Sequence, residues 1–485
     1  MNTASRPVIA LHDPSATPAS RLVQRPEAKS RRMGYAARFA KNLVTACAAS
    51  LLLVQPVLAQ SINVLRDAET EAFFRDISKP MIVAANLDPK SVQLILVGDP
   101  SINAFVCCGQ NVFIHSGLIQ VTDNVNQLQG VIAHELGHIA GGHNIRSSEG
   151  TGPATSISIL SLIAAGAAMA LGAGEAGMAI LGMGQSVAQS TYLSFNRDQE
   201  SRADQAGAEY LLAAQLSGQG SLDFFGKLAN QEYRLAIPQT NSYNRTHPLS
   251  SERIAALADV YAKSPYFHKG PDPAFQARFL RIKGKLIGFI EDPVRTLAMF
   301  PASDQSVQAR YARAYAWQRS AYPDAALGEI NKLLATAPKD PYFLELKGQI
   351  LLESGRNAEA ITVLRAAVAN APNEPLIATL LGHALISTEM PADMAEAKPL
   401  LKAAIARDKD NPFAWYQLGV IYDREGDTPR AALASAERYS MEGNRKGASA
   451  NARVALAGLP RGSADWIRAQ DIALASACEG NKKKC

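Results

Sequence analysis

The chain has 485 residues, 47% hydrophobic and 19% charged, which suits a folded protein of two or three domains and excludes a disordered one. Its formal charge is +5, but residues 1–59 hold eight Lys and Arg against two Asp and Glu, a net of +6, so the remainder sits near −1 and no nucleic acid is expected as a partner.

Arg21, Arg25, Lys29, Arg31, Arg32, Arg38 and Lys41 precede an apolar run from Leu43 to Leu58. Val57-Leu58-Ala59 then offers acceptable −3 and −1 residues for cleavage before Gln60. Basic, apolar and small in that order is a secretory signal, so 1–59 is expected to be removed. Met33 gives a leader of ordinary length and is the alternative start to Met1. An uncleaved anchor is the runner-up, with an apolar run that is short for a span. Cys47 leaves with the leader, and Cys107, Cys108, Cys478 and Cys485 remain in a compartment that permits disulfides. Three pairings are open to them. No C-x-x-C pair exists, so zinc binding by cysteine is not expected.

Residues 60–90 read as helical. Val92 to Val97 alternates as a strand, Ala104 to Val106 and Asn111 to Ile114 look like two more, and Gly109-Gln110 turns between them. Next comes an apolar run, Leu128 to Ile139, containing His134-Glu135-Leu136-Gly137-His138. On a helix His134 and His138 share one face, a spacing suited to two zinc ligands, and Glu135 lies beside them to take a proton from water. From Gly150 to Asn196 the only charge is Glu175. Ile157 to Leu171 and Ala176 to Leu193 read as a helical hairpin, expected to be buried or pressed against the protein. Peripheral membrane contact through 157–193 is the alternative. Asn196 to Leu212 is a polar helix carrying Glu200 and Asp204, the turn-rich Pro238 to Pro248 contains His247, and Ser251 to Ala262 is helical with Arg253.

The C-terminal half repeats. Gly348, Gly355, Ala360, Ala367 and Pro372 mark a unit of about 34 residues. Ala326 and Pro338 lie one unit back, and Gly382 lies one forward. Trp415-x-x-Leu418-Gly419-x-x-Tyr422 follows, with Gly426 and Ala431 at the next spacings. This is the tetratricopeptide pattern, predicting a solenoid of paired helices with a concave groove over 305–445. The chain is therefore mainly α. A signal peptide (1–59) precedes an α+β zincin-type metallopeptidase domain with a small β-sheet (60–265). A helical linker (266–304), the α-helical repeat domain (305–445) and a helical cap with a basic tail (446–485) complete it.

Two histidines leave zinc short of a ligand. The metzincin pattern needs a histidine where Asn144 stands, and His143, one residue off, reads as structural. Glu200-Ser201-Arg202-Ala203-Asp204 supplies the alternative. With His134-Glu135-x-x-His138 it resembles the gluzincin metallopeptidases of family 48, whose E-x-x-x-D motif on a later helix carries a glutamate ligand. With the repeats it is most similar to the secreted periplasmic branch of that family, over essentially the whole mature chain. The resemblance implies one zinc ion per chain held by His134, His138 and Glu200, with Glu135 as general base. Asp204, one turn beyond Glu200, is placed to orient a ligand imidazole. A single membrane span between His138 and Glu200 would separate the ligands, which argues against one. The resemblance further implies that His247 and Arg253 face the metal. There they would stabilise the oxyanion, or His247 would bind as a regulatory fourth ligand. Asn103-Ala104-Phe105 matches the strand that holds a substrate backbone. By resemblance the substrates are unfolded or misassembled outer-membrane β-barrel proteins in the periplasm, and the repeats recruit them or the barrel-assembly complex. The alternative is a chaperone or adaptor whose repeats act while the zinc site stays mostly latent.

Overall fold

A computed structural model describes residues 63–171, 173–235, 247 and 251–478. The leader, its cleavage site, most of the turn around His247, and Cys485 lie outside the described residues, as does the side chain of Cys478.

The sheet has four strands, β1 (Val64–Leu65), β2 (Gln93–Val97), β3 (Ala104–Cys107) and β4 (Asn111–His115), in the order β1-β2-β4-β3. β2 and β4 run parallel and the outer pairings are antiparallel, with Phe105 opposite Phe113. β3 is therefore an edge strand. Alternation on β4 buries Val112 and Ile114 completely. Cys107 and Cys108 are bridged to each other at the turn after β3. Helix α1 (Ala68–Ala84) starts at Asp67, whose side chain accepts from the Thr70 amide. It lays Phe73, Phe74, Ile77 and Met81 over the sheet. After α2 (Ser116–Val121) comes α3 (Val125–Ala140), capped by Asn124 and buried along its whole length from Val125 to His138. A helix buried all round sits at the centre of its domain, and α3 carries the histidine motif.

α4 (His143–Ala170) and α5 (Gly174–Ala213) form the expected hairpin, but not in the expected place. It stands away from the protein. Leu160, Leu162 and Ile163 are 65%, 61% and 64% exposed, and Leu171 at the turn is 87% exposed. The expectation of burial fails because the two helices use up their small residues on each other and leave the large ones facing out.

α6 (Gln219–Leu235) and α7 (Ser251–Ala262) close the domain. The segment read as a linker contains α8 (Pro273–Ile290) and α9 (Pro293–Met299), and α8 gives Phe279, Ile282 and Leu286 to the peptidase core. The repeats follow as the pairs α10 (Val307–Arg319) and α11 (Pro323–Thr336), α12 (Pro341–Glu353) and α13 (Asn357–Asn370), α14 (Pro375–Ile386) and α15 (Pro391–Arg407), and α16 (Pro412–Arg424) and α17 (Thr428–Met441). α18 (Arg445–Gly458) and α19 (Ala464–Cys478) cap them, packing Ala448, Ala452 and Ile472 against Leu433. Gly348 sits where an added Cβ would meet the Leu364 side chain at 2.4 Å, so glycine lets α12 and α13 approach.

The repeats are clamped to the peptidase domain. Arg66 pairs with Asp408 at 2.8 Å and Arg75 with Glu374 at 2.8 Å. Ala68 packs among Leu344, Ala367 and Ile377. Glu69 accepts from the Tyr311 hydroxyl at 2.9 Å, and Arg281 on α8 bridges Glu69 and Asp340.

Candidate metal centre

Backbone contact between α3 and α5 builds the site. A Cβ on Gly137 would stand 2.6 Å from the Ala203 carbonyl oxygen, and one on Gly207 would stand 3.0 Å from the Ala133 carbonyl carbon. Only glycine at both positions lets the helices approach this closely. The approach carries Glu200 to the histidines.

His134 Nε2 and His138 Nε2 lie 3.1 Å apart. Glu200 Oε2 is 3.4 Å from His134 Nε2, and Oε1 is 3.3 Å from His138 Nε2. His247 joins them, with Nδ1 3.2 Å from His134 Nε2 and 3.1 Å from Glu200 Oε1. All four side chains are buried. Lone pairs of four groups thus converge on one point. Tetrahedral ligation at about 2.0–2.1 Å would space its ligand atoms roughly 3.3 Å apart, which these separations match. The residues fit a metal ion.

Electrostatics asks for the same thing. Glu135, Glu200 and Asp204 are buried carboxylates, and among the described residues one guanidinium, that of Arg253, pairs with Glu200 and Asp204. Burial opposes protonation of His134, but bonds to Asp204 and then Glu200 overcome it and lift its pKa to about 10. Burial likewise works against the Glu200 carboxylate, yet the charge of His247 and bonds to the imidazoles hold it well below the usual range. His138 is pushed down by burial against a bond to Glu200. The carboxylates draw a proton onto His134 where a divalent cation would serve all of them. Glu135 is wholly buried with no hydrogen-bond donor on either oxygen among the described residues, His247 Nε2 standing 3.5 Å from Oε1.

A second layer orients the first. Asp204 Oδ1 lies 2.9 Å from His134 Nδ1, which fixes the tautomer that turns Nε2 inward. Arg253 donates to both Asp204 oxygens, at 2.7 and 2.9 Å, and its Nη1 is 3.1 Å from Glu200 Oε2. The arginine expected to face a scissile carbonyl instead braces the two carboxylates. His143, read from the sequence as structural, sits against the site. Gly141 and Gly142, the latter at φ +63°, break α3 and begin a new helix. The break returns the buried His143 ring to His138, with their Nδ1 atoms 2.9 Å apart. Burial and the neighbouring imidazole push the His143 pKa down to about 4, so it stays neutral beside His138. The paired glycines were the available signal.

β3 runs alongside. Ala104 is fully buried and Asn103 nearly so, while Phe105 stacks on Phe113 at 5.0 Å. His247 Nε2 lies 3.3 Å from the Ala104 carbonyl oxygen.

Comparison with known proteins agrees with this geometry. Residues 68–260 match peptidase family M48, and residues 311–375 and 392–449 match the tetratricopeptide repeat. A beta-barrel assembly-enhancing protease of Yersinia pestis is 28% identical over 433 residues, 86% of this chain and 84% of its own. The protein of that name in Escherichia coli K12 is 25% identical over 84% of each chain. The metalloprotease YcaL of the same organism is 28% identical over 178 residues, 36% of this chain and 64% of its own.

Proposed function

We propose that this chain, a metalloprotease by its peptidase family M48 domain and tetratricopeptide repeats, is a zinc endopeptidase of the periplasm. Its substrates are unfolded or misassembled outer-membrane β-barrel proteins, and its repeats recruit them or the assembly machinery. The observation that carries the reading is the convergence of His134, His138 and Glu200 beside a buried Glu135 with no donor on either oxygen. The names of the relatives from Yersinia pestis and Escherichia coli support the substrate class.

Zinc held by His134, His138 and Glu200 would polarise the scissile carbonyl and acidify the attacking water. Glu135 takes the proton from that water and passes it to the departing amine. Asp204 keeps His134 in its working tautomer, and Arg253 keeps Asp204 and Glu200 in place. An extended substrate adds alongside β3 at Asn103, Ala104 and Phe105.

His247 occupies two places a substrate needs, one among the ligand atoms and one at the Ala104 carbonyl. The described arrangement is therefore a closed form, and His247 must leave before a peptide binds. The intact ligand set and base favour a protease over a chaperone with a silent site.

The test is metal content and casein cleavage by the mature protein, comparing wild type with Glu135→Gln and His247→Ala. One zinc per chain, activity lost with Glu135→Gln and raised with His247→Ala, supports the reading. Absence of stoichiometric metal overturns it, and lower activity in the His247 variant overturns the gate. Cleavage of a urea-unfolded β-barrel protein, with the detergent-folded form spared, tests the substrate class.

A further inference from the structure

Water-soluble helical hairpins bury large apolar side chains between their helices and show polar ones outside. The hairpin of α4 and α5 does the reverse. Ser161 and Ala165 on α4 face Gly177, Gly184 and Ala188 on α5, and all but the half-buried Gly184 are buried. A Cβ on Gly184 would overlap the Ser161 side chain, and one on Gly177 would stand 2.8 Å from the Ala165 carbonyl oxygen. Small residues therefore make the helix–helix contact. Ile159, Leu160, Leu162 and Ile163 on α4 and Met178, Met183 and Val187 on α5 all point outward and are more than half exposed. Small inside and large outside is how helices pack when the surroundings are lipid. A protein groove would cover one face, whereas here the outer arcs of both helices are apolar.

Polar side chains gather midway along the hairpin, and its one carboxylate, the exposed Glu175, lies in the first turn of α5 beside the tip, where insertion would require it to be protonated or to draw water in with it. Thr155, Ser158, Gln185 and Gln189 line a shallow cavity midway between its feet and its turn, shared with Ile159, Leu162 and Tyr192. A phenol in such a place suits the headgroup boundary. Beyond Ile159 the arm runs to Leu171 at the turn, about 18 Å at 1.5 Å per residue, roughly the depth of one leaflet. Gly152–Met169 has a mean hydropathy of 1.5, yet only 6% of it is buried. Both feet end at the metal centre, because α4 begins at His143 and α5 carries Glu200, so both helices must leave from and return to the same side.

We propose that residues 155–193 insert tip-first into a lipid leaflet and hold the metal centre at the membrane surface. Glu200 lies eight residues beyond Tyr192 on the same helix, about 12 Å along its axis. This rests on the peptidase reading only for its consequence, that the favoured substrates are polypeptides lying at or emerging from a membrane. Insertion itself does not depend on catalysis.

The test is flotation of the mature chain with vesicles of phosphatidylethanolamine and phosphatidylglycerol, with Leu160→Asp/Leu162→Asp as the variant. Both side chains are exposed in the free protein, so the variant should fold, and its cleavage of casein in solution should stay within twofold of wild type. The expected result is that wild type floats and the variant floats at least tenfold less. A tryptophan at the turn (Leu171→Trp) should be quenched by lipids brominated on their tails. Wild type left unbound, or a variant that floats equally well, overturns the proposal. So does an unquenched tryptophan, or a vesicle-free dimer that the aspartates dissolve, which would make the occupant a second copy of the chain. Because flotation is read without activity, an inactive protein that floats refutes only the peptidase reading.

Discussion

The protein buries two clusters of charge, and they differ in how the charge is settled. Between the domains, Asp67, Glu69 and Asp340 meet Arg281 and Lys285, with Tyr311 donating to Glu69. Arg281 also lies over the Phe343 ring, 3.9 Å from its centroid. Three carboxylates there share two cations, and Glu345 stands beside them. Burial, with Asp67 and Glu69 adding to it against Lys285, lifts its pKa to about 8 and keeps it protonated at neutral pH. Each of the three charged carboxylates in that cluster has a cationic partner. At the metal centre, among the described residues, three carboxylates face one guanidinium, four ligand atoms point at each other, and Glu135 has no donor. A buried cluster that closes on its own members holds domains together, and one that does not close awaits a ligand.

Removing the unsatisfied charge at Glu135 gives the largest expected effect. Glu135→Gln keeps shape and deletes the base, so cleavage should fall roughly 10²–10⁴-fold, with metal content and Tm unchanged. Casein hydrolysis alongside metal analysis checks this, and a loss of metal would mean that Glu135 helps hold the ion. The interdomain cluster should respond the other way. Arg281→Ala strands Glu69 and Asp340, and breaking such a pair costs about 3–5 kcal/mol. Urea unfolding should show that loss, while the native fraction keeps full metal content. A variant that also sheds metal would show that the two clusters are one system.

How far the sequence revealed each cluster follows from the range of its contacts. His134, Glu135 and His138 were legible because a helix places i and i+4 on one face. Glu200 and Asp204 came from a resemblance, since sixty residues and a hairpin intervene. The glycine contacts that bring α5 to α3 carry no local signal. Ala321 and Glu389 adopt positive φ 34 residues either side of Gly355, so the repeat continues in the backbone where the side chains hide it. The interdomain cluster was invisible, because its charges come from three separate segments and each alone reads as a solvated face. Arg253 was expected at the reacting carbonyl because spacing does not give direction, and the structure turns its guanidinium onto carboxylates. The hairpin's helices were legible and its exposure was not, because apolar composition reports what avoids water without saying whether protein or lipid takes its place.

Weaker effects separate orientation from charge. Asp204→Asn keeps a group beside His134 but loses the charge that fixes its tautomer. Metal affinity should fall about 10–100-fold, the usual cost of removing such a partner. Competition against a chelator measures it. An unchanged affinity would assign Asp204 to Arg253 alone.

The smallest effect tests whether Glu345 stays neutral inside the interdomain cluster. Glu345 is an acid whose folded pKa, about 8, is raised above its ordinary 4.5. The folded state therefore holds its proton where the unfolded chain has released it. The resulting stability is complete below pH 4.5 and is lost as pH rises through 8, at about 1.4 kcal/mol per unit between. Glu345→Gln lacks this titration, and the groups around it are common to both proteins. Between pH 6 and pH 7 wild type should thus lose roughly 1.4 kcal/mol relative to the variant, read as the change in urea-unfolding free energy. Parallel pH profiles would mean that Glu345 is ionised and paired at neutral pH. The cluster would then hold four negative charges against two cations.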